Sequence, residues 1–458
     1  MEEMETVVEQ IKELLNDRKY HELKDILDDI EPADVAIIFE EFPEKSLPIL
    51  FRILSKEHAA EVFVELDSDM QELLISGFSD YELKEVLEEL YLDDTVDIIE
   101  EMPANVVKRI LKHSAQDVRE SINEILKYPK YSAGSMMTIE FVDLKKDMTV
   151  EDAFMRIRRT GVDKETIYTC YVTDENRILL GLVSVKDLLL ADQSEIIGDI
   201  MEQNIIYVNT LDDQEYAAQT FEKYDLLALP VVDNESRLVG IITVDDAIDV
   251  IQEEATEDIE KMVAITPTDK PYMKTGVFET FKKRIPWLLL LMISSAFTGS
   301  IISGFEDALS SCVVLTAFIP MLMGTAGNSG GQSSATIIRS MSLGDVELGD
   351  ILKVIWKELR VAVICGIVLA AANFVKVMVM DSGNIISDGY SPVLIAFVVS
   401  LALALTVIIA KFIGCVLPML AKKLGFDPAV MASPLITTIV DAVSLMVFFN
   451  IAVMILKI

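Results

Sequence analysis

Three groups of residues in this 458-residue chain have the types and spacing to handle a cation. The first is a lone carboxylate. Asp441 stands in "SPLITTIVDAVSLMVFFN", as the fourteenth of the 29 residues from 428 to 456, which are otherwise uncharged. In a membrane-spanning helix that position lies near the bilayer midplane, where an ionised Asp costs about 2.5–3.5 kcal/mol. A polar cavity, a bound ion, or a neutral Asp hydrogen-bonded to a neighbouring helix would account for it. The basic residues Lys376 and Lys411 lie nearer the ends of their apolar runs, so a cation is the expected counter-charge.

The second group is "PMLMGTAGNSGGQSSATIIRS", with Pro320, Gly324, Gly327, Gly330 and Gly331. Glycine permits close backbone approach and a proline inside a helix frees a carbonyl, so carbonyl oxygens with Asn328, Gln332 and Ser333 are suited to face a hydrated ion. Tight helix packing would also explain the glycines. The amides and hydroxyls favour a lined pore.

The third group is "TVDDAIDVIQEEATEDIEK", which holds Asp245, Asp246, Asp249, Glu253, Glu254, Glu257, Asp258 and Glu260 before its first base, Lys261. Spacings of three and four put Asp246, Asp249, Glu253, Glu257 and Glu260 on one helical face. Like-charge pairs at that spacing destabilise a helix by roughly 0.2–0.5 kcal/mol each. Either the face is solvated or something neutralises it. Its place, joining a soluble region to the first apolar run through "KMVAITPTDKPYMKTGVFETFKKR", favours neutralisation.

The elements that must position these groups follow from charge and periodicity. The net charge is −36, yet residues 281–458 hold only 10 of the 75 acidic and 12 of the 39 basic side chains. The first part therefore reads as soluble and acidic, and the second as a membrane module. Such an acidic surface repels nucleic acid and anionic headgroups and attracts cations. Four scattered cysteines, Cys170, Cys312, Cys365 and Cys415, suit neither a disulfide framework nor a zinc site. The acidic, amphipathic "MEEMETVVEQIKELL" lacks the basic start and apolar run of a signal peptide, so the soluble part is expected to stay in the cytoplasm.

Residues 1–128 repeat about every 24 residues with apolar positions three and four apart, the pattern of short helices stacked in a superhelix. A second repeat follows at an offset of 59 residues: "YVTDENRILLGLVSVKDLLLA" aligns with "PVVDNESRLVGIITVDDAIDV". It pairs Val172 with Val231, Asp174 with Asp233, Gly181 with Gly240 and Asp187 with Asp246. This resembles a tandem pair of cystathionine-β-synthase (CBS) domains, each ending in Gly-x-x-Ser/Thr-x-x-Asp.

Apolar runs at 285–305, 308–338, 361–380, 389–410 and 428–456 supply five spans of the length that a bilayer requires, about 20 residues. Lys282, Lys283, Arg284, Arg339, Lys353, Lys357, Arg360, Lys422 and Lys423 fall on one side if the soluble part is cytoplasmic, which places the C-terminus outside. No enzyme constellation competes. His21, His58 and His113 all lie in the helical repeats, and neither a phosphate loop nor a Cys–His pair occurs.

The order of helical repeats, CBS pair, acidic linker helix and five spans with "GNSGGQS" and "SPLITTIVDAVSL" resembles, over essentially the whole chain, the MgtE family of bacterial magnesium channels. The resemblance implies an all-α superhelical domain over 1–128, an α/β tandem CBS pair over 129–256, an acidic plug helix and linker over 245–280, and an α-helical transmembrane domain over 281–458. It implies a multi-pass homodimer in the bacterial cell membrane, its pore lined by the second and fifth spans and including Pro320, Gly324, Gly327, Asn328, Gln332, Ser433 and Thr437. Two copies of Asp441 would hold a largely hydrated Mg²⁺ through its waters, because Mg²⁺ dehydrates reluctantly. Backbone carbonyls between Ser433 and Thr437 would complete the site.

By the same resemblance, intracellular Mg²⁺ holds the channel closed through Glu61, Asp93 and Asp97, through Asp213, Glu215, Glu222 and Asp225, through Asp246, Asp249, Glu254, Glu257 and Asp258, and through Asp427. Ions that bind only the closed arrangement stabilise it, and without them the carboxylates repel one another. Ala326 departs from the pattern, standing where many members carry another glycine, which alters helix packing. Some members bind ATP between the CBS domains; Thr243 and Asp246 are placed for its ribose, and Asp187 equally so. Two other readings stand beside a channel: a proton-coupled divalent cation transporter working through Asp441, and a membrane-anchored sensor of Mg²⁺ or nucleotide.

Overall fold

The structure, a computed structural model, describes residues 2–268, 272–387, 390–431 and 433–458. The chain divides into two compact units, Met1–Ile251 and Gln252–Ile458.

In the first unit, α1 (Glu2–Asn16) and α2 (Tyr20–Asp28) precede four helix pairs that match the 24-residue repeat. They are α3 (Pro32–Glu40) with α4 (Leu47–Phe51), α5 (Lys56–Glu65) with α6 (Ser68–Gly77), α7 (Asp80–Leu87) with α8 (Leu92–Glu101), and α9 (Ala104–His113) with α10 (Gln116–Ile125). Helices this short are marginal alone. They persist because Ile11, Phe39, Leu50, Phe63, Leu74, Val96 and Ile110 bury in one continuous core. Local chemistry sets their starts: Asp67 accepts from Met70 N, and Ser79 with Glu82 forms a capping box on α7.

The two α/β modules repeat closely. The first contains β1 (Asp143–Lys145), α11 (Val150–Thr160), β2 (Thr169–Thr173), β3 (Leu179–Ser184), α12 (Val185–Leu190) and α13 (Ile197–Ile200). The second contains β4 (Val208–Asn209), α14 (Gln214–Tyr224), β5 (Ala228–Val232), β6 (Leu238–Thr243) and α15 (Val244–Met262). Each sheet orders its strands as in sequence, a parallel pair followed by an antiparallel pair. Val172 faces Gly181 in one sheet and Val231 faces Gly240 in the other, and a register shift follows each valine.

Both glycines are needed for space. A Cβ at 181 would lie 2.9 Å from Glu202 O, and one at 240 would lie 2.8 Å from Thr138 O, because a backbone segment crosses each strand there. The Ser/Thr-x-x-Asp endings are helix caps: Ser184 and Asp187 box the start of α12, while the Thr243 hydroxyl donates to Asp246 at 2.7 Å.

The second unit holds α16 (Val277–Gly304), α17 (Glu306–Ser311), α18 (Ile319–Ser342), α19 (Ile351–Lys376), α20 (Ser382–Ser387), α21 (Pro392–Lys423) and α22 (Ser433–Leu456). Five of its helical segments are long and apolar enough to cross a membrane. The second span differs from the run expected at 308–338. Short α17 and a tight helical turn over Val313–Phe318 take up its first part, and α18 continues to Ser342. Pro320 falls in the first turn of α18, where a missing N–H costs nothing, so it does not free a carbonyl inside the helix as its apolar context suggested.

Helix α21 is the centre of this unit, with buried residues recurring from Ile395 to Ala421, whereas α16 buries only Thr298. The α18 contacts run through small residues. A Cβ at Gly414 would collide with the Gly330 carbonyl, one at Gly330 would lie 3.1 Å from Ile436 Cγ2, and one at Gly327 would lie 2.9 Å from Thr437 Cγ2. Ala326 is buried with Ala410, Ile436 and Val440, so its methyl group fills space in that seam.

Candidate functional site

The first unit gathers carboxylates at the start of α8. Asp93, 8% exposed, offers one oxygen that lies within 4.8 Å of oxygens from Glu140 and Glu165, and the latter two lie within that distance of each other. Backbone bonds hold the arrangement. Leu92 N donates to Glu140 Oε2 at 3.1 Å, Asp94 N donates to Asp93 Oδ1 at 3.1 Å, and Glu165 N donates to the Glu140 carbonyl at 2.9 Å.

Burial, then the charges of Asp246, Asp94 and Glu165, hold the Asp93 carboxyl well above the usual range. Burial followed by neighbouring carboxylates pushes Asp94 to about 7 and Glu165 to about 8, while Asp97 is exposed beside them. Asp246 rises to about 6 through burial, against the lowering effect of its bond to Thr243. Among the described residues no Lys or Arg forms an ion pair with Asp93, Asp94, Asp97, Glu165 or Asp246, and Glu165 Oε2 is buried without a hydrogen-bond partner. A hard divalent cation fits such an all-oxygen donor set.

Of these, Asp93, Asp97 and Asp246 were expected from the sequence. Asp94, Glu140 and Glu165 were missed, because only the crossing of α8 with the lead-in to β1 and β2 brings them together. The remaining expected ligands have other surroundings. Glu61, its side chain 64% exposed, neighbours His58 at 3.8 Å. Asp213 caps α14 by accepting from Glu215 N at 2.9 Å, and Asp225 ends that helix in the left-handed conformation at φ 52°. Glu222, Asp225 and Asp249 are exposed, and Glu254 is half-buried.

In the second unit, Lys261 pairs with Glu257 and, at 2.6 Å, with Asp427, whose other oxygen accepts from Ala429 N at 2.8 Å. Asp427 therefore already has a cationic partner. Asp258 sits nearby with its pKa raised by burial and by Asp427, and lowered by a bond to the Ser342 side chain. Met262, the last residue of α15, packs on Ile338 and Ala429.

Within the bundle, Asp441 lies one turn beyond Thr437 on α22, and its Oδ1 is buried without a hydrogen-bond partner. Gly324, Asn328, Gln332 and Thr336 recur every four residues along α18 and are all exposed. A stripe of amides on a spanning helix is costly against lipid and suits water or another polar surface. Gly327 and Thr437 instead pack on each other. For Ser433 only the backbone, at the start of α22, is described; its side chain lies outside the described residues. Thr438 Oγ1 donates to the Pro434 carbonyl at 3.0 Å, within the stretch expected to offer carbonyls.

Ser333 does not line that stripe. It is buried, and its hydroxyl donates to Glu358 Oε2 at 2.6 Å while accepting from Lys411 Nζ at 3.2 Å. Lys411 and Glu358 lie 3.9 Å apart, with side chains 7% and 14% exposed. Lys411 is thus an interior residue of α21, not an end of its span, because the helix continues to Lys423. The sequence signal was Glu358, the single acid of α19, and Lys411, the single charge between Pro392 and Ala421 of α21.

Comparison with known proteins agrees with this architecture. Residues 30–131 match the MgtE intracellular N domain, 133–194 and 197–253 match CBS domains, and 319–451 match MgtE, a family of divalent cation transporters. The chain is 35% identical over 451 residues to the magnesium transporter MgtE of Thermus thermophilus, covering 98% of each chain. It is 34% identical to that of Bacillus subtilis over 96% of this chain and 95% of the relative. A crystal structure of the cytosolic domain of the Mg²⁺ channel MgtE in complex with ATP matches 53% of this chain and 99% of its own at 35% identity, with a TM-score of 0.51. The soluble part of a magnesium transporter matches at 31% identity and a TM-score of 0.52, over 55% of this chain and 99% of its own. The chain belongs to the MgtE family of magnesium transporters, multi-pass membrane proteins with an intracellular N-terminal domain.

Proposed function

We propose that this protein is a homodimeric, Mg²⁺-gated channel that admits Mg²⁺ across the bacterial cytoplasmic membrane, with its C-terminus outside. The observation that carries the reading is the buried, partnerless oxygen of Asp441 in a bundle that also presents Asn328 and Gln332 on an exposed helix face. An unpaired carboxylate at that depth is an unnecessary cost for an anchor. Two copies facing each other across a dimer axis hold a hydrated divalent cation through its water ligands.

The gate is the carboxylate cluster. Asp93, Glu140 and Glu165, with Asp94, Asp97 and Asp246 around them, repel one another when unoccupied and are drawn together by Mg²⁺. Binding to the closed arrangement alone shifts the equilibrium toward it. Glu61, Asp213, Glu215, Glu222, Asp225, Asp249, Glu254, Glu257, Asp258 and Asp427 belong to the same proposed gate. ATP, which the solved relative holds, is assigned to the Asp187 side of the CBS pair. The Thr243–Asp246 side faces the acidic cluster, which repels a polyphosphate.

The test is Mg²⁺ uptake into proteoliposomes by the native chain and by Asp441→Ala, at micromolar and then millimolar Mg²⁺ on the cytoplasmic face. Flux in the native chain, its loss in Asp441→Ala and its shutdown by millimolar Mg²⁺ support the channel and its gate. Reversal away from the Mg²⁺ Nernst potential under a proton gradient supports coupled transport instead. Binding without flux supports the sensor.

A further inference from the structure

The α18 helix meets α21 and α22 through glycines: Gly330 against Gly414, and Gly327 against Thr437. At Gly327 and Gly330 α18 contributes no side chain of its own, so these contacts allow close approach without a directional bond. Yet the face that α18 presents matters. A turn of one residue swings a side chain by about 100°, which would remove Asn328 and Gln332 from the exposed stripe. Apolar burial through Leu322, Ile337 and Met341 sets the rotation broadly, and a directional contact sharpens it. Among the described residues of α18, Ser333 is the one whose side chain is hydrogen-bonded to charged groups on both α19 and α21.

We propose that Ser333, Glu358 and Lys411 are positioning residues for Mg²⁺ transport, fixing the rotation of α18 so that Asn328 and Gln332 face the ion path. Glu358 accepts the Ser333 hydroxyl proton at 2.6 Å, and Lys411 completes the triangle from the opposite helix at 3.2 Å. The two charges compensate each other, so the link sits inside the bundle without an unpaired ion. Neither charged residue touches the ion; they act through the hydroxyl of Ser333. This inference rests on the reading of α18 as lining the path.

When only a fraction of molecules holds the binding-competent rotation, the apparent affinity for the ion falls by that fraction, whereas loss of folded protein lowers only the maximal rate. The experiment therefore measures Mg²⁺ influx into proteoliposomes against external Mg²⁺ concentration, using the full chain. Ser333→Ala, which leaves the Glu358–Lys411 pair intact, is expected to raise the half-saturating Mg²⁺ by roughly five- to thirtyfold, the shift that one interhelical hydrogen bond supports. Glu358→Ala with Lys411→Met removes the acceptor and the lone charge together, and should produce the same shift by an independent route. Glu358→Gln with Lys411→Met keeps an oxygen for the hydroxyl and should stay near native.

Native half-saturation in Ser333→Ala or in Glu358→Ala/Lys411→Met, or a fall in maximal rate alone, overturns the proposal. So does a shift in the Gln/Met variant equal to that of Ser333→Ala. Asn328→Ala and Gln332→Ala separate the two readings. If both keep native half-saturation, the lining reading fails. If they shift it while Ser333→Ala does not, only the positioning role fails.

Discussion

Lys261 donates to Asp427 at 2.6 Å, tying the last turn of α15 to the loop before α22. It also pairs with Glu257 on its own helix, and it is the single base among the 19 residues of α15. Half-buried Asp258 lies close enough to Asp427 for that charge, after burial, to raise its carboxyl. The protein thus supplies one internal cation where three carboxylates converge. Removing it leaves a task that Mg²⁺ is suited to perform.

Lys261→Met should lower the melting temperature of the detergent-solubilised, Mg²⁺-free chain, because Asp427, Glu257 and Asp258 then repel without compensation. The pair is partly exposed, so the expected loss is about 1 kcal/mol. Millimolar Mg²⁺ should restore most of it. Calorimetry with and without Mg²⁺ decides the matter: an equal deficit in both conditions would mean that no metal takes the place of the ammonium group.

The carboxylates around Asp93 give a pH dependence of definite sign. Their folded-state pKa values are raised, to about 6 for Asp246, 7 for Asp94 and 8 for Glu165. Stability from the protonated groups is fully present below the unfolded carboxylate range, near pH 4, and is lost as pH rises through the folded values. The Mg²⁺-free chain should therefore melt at a higher temperature at pH 6 than at pH 8.5. Saturating Mg²⁺ should flatten the difference by replacing protons as the source of compensation. A metal-free melting temperature that rises over this interval would refute the assignment.

Much of this architecture was legible because it repeats or alternates sharply. The 59-residue offset that paired Gly181 with Gly240 reappears as an identical register in the two sheets, and the apolar runs became five long helices. What was not legible depends on crossings between distant segments. Nothing local in "MTIEFVDL" distinguishes Glu140 from a surface acid, and Glu165 gains meaning only when its backbone bonds to the Glu140 carbonyl. Pro320 was misread for a related reason. The effect of a proline depends on whether it falls in the first turn or the interior, and the apolar run did not mark where α18 begins.

Gly240→Ala should destabilise the CBS pair by about 1–3 kcal/mol, the usual cost of forcing a methyl group into a filled site. The new Cβ would meet Met137 Sδ at 2.6 Å and Thr138 O at 2.8 Å. Met137 can yield, but Thr138 is bridged to Ile241 and leads directly into Glu140. The substitution should therefore also weaken Mg²⁺-dependent protection of the soluble part from protease. Gly349→Ala, where a Cβ meets nothing within 4 Å, is the control expected to leave both unchanged. Equal effects from the two substitutions would remove the steric argument.

Glu165→Gln separates an ion ligand from a structural acid by the sign of its effect. Its carboxyl is held at about 8 by burial first and by Asp94, Asp245, Asp246 and Glu140 after it, so ionised Glu165 costs the metal-free fold stability. Replacing it with a neutral amide should raise the Mg²⁺-free melting temperature above pH 8. With Mg²⁺ present the effect should reverse. A tenfold weaker ion affinity removes about 1.4 kcal/mol of the stabilisation that binding confers at saturation. Thermal melts across a Mg²⁺ titration should then show the variant starting above the native chain and finishing with the smaller gain. A variant that starts lower and gains as much as the native chain would place Glu165 in the packing of the module and leave Asp93 and Glu140 to hold the ion without it.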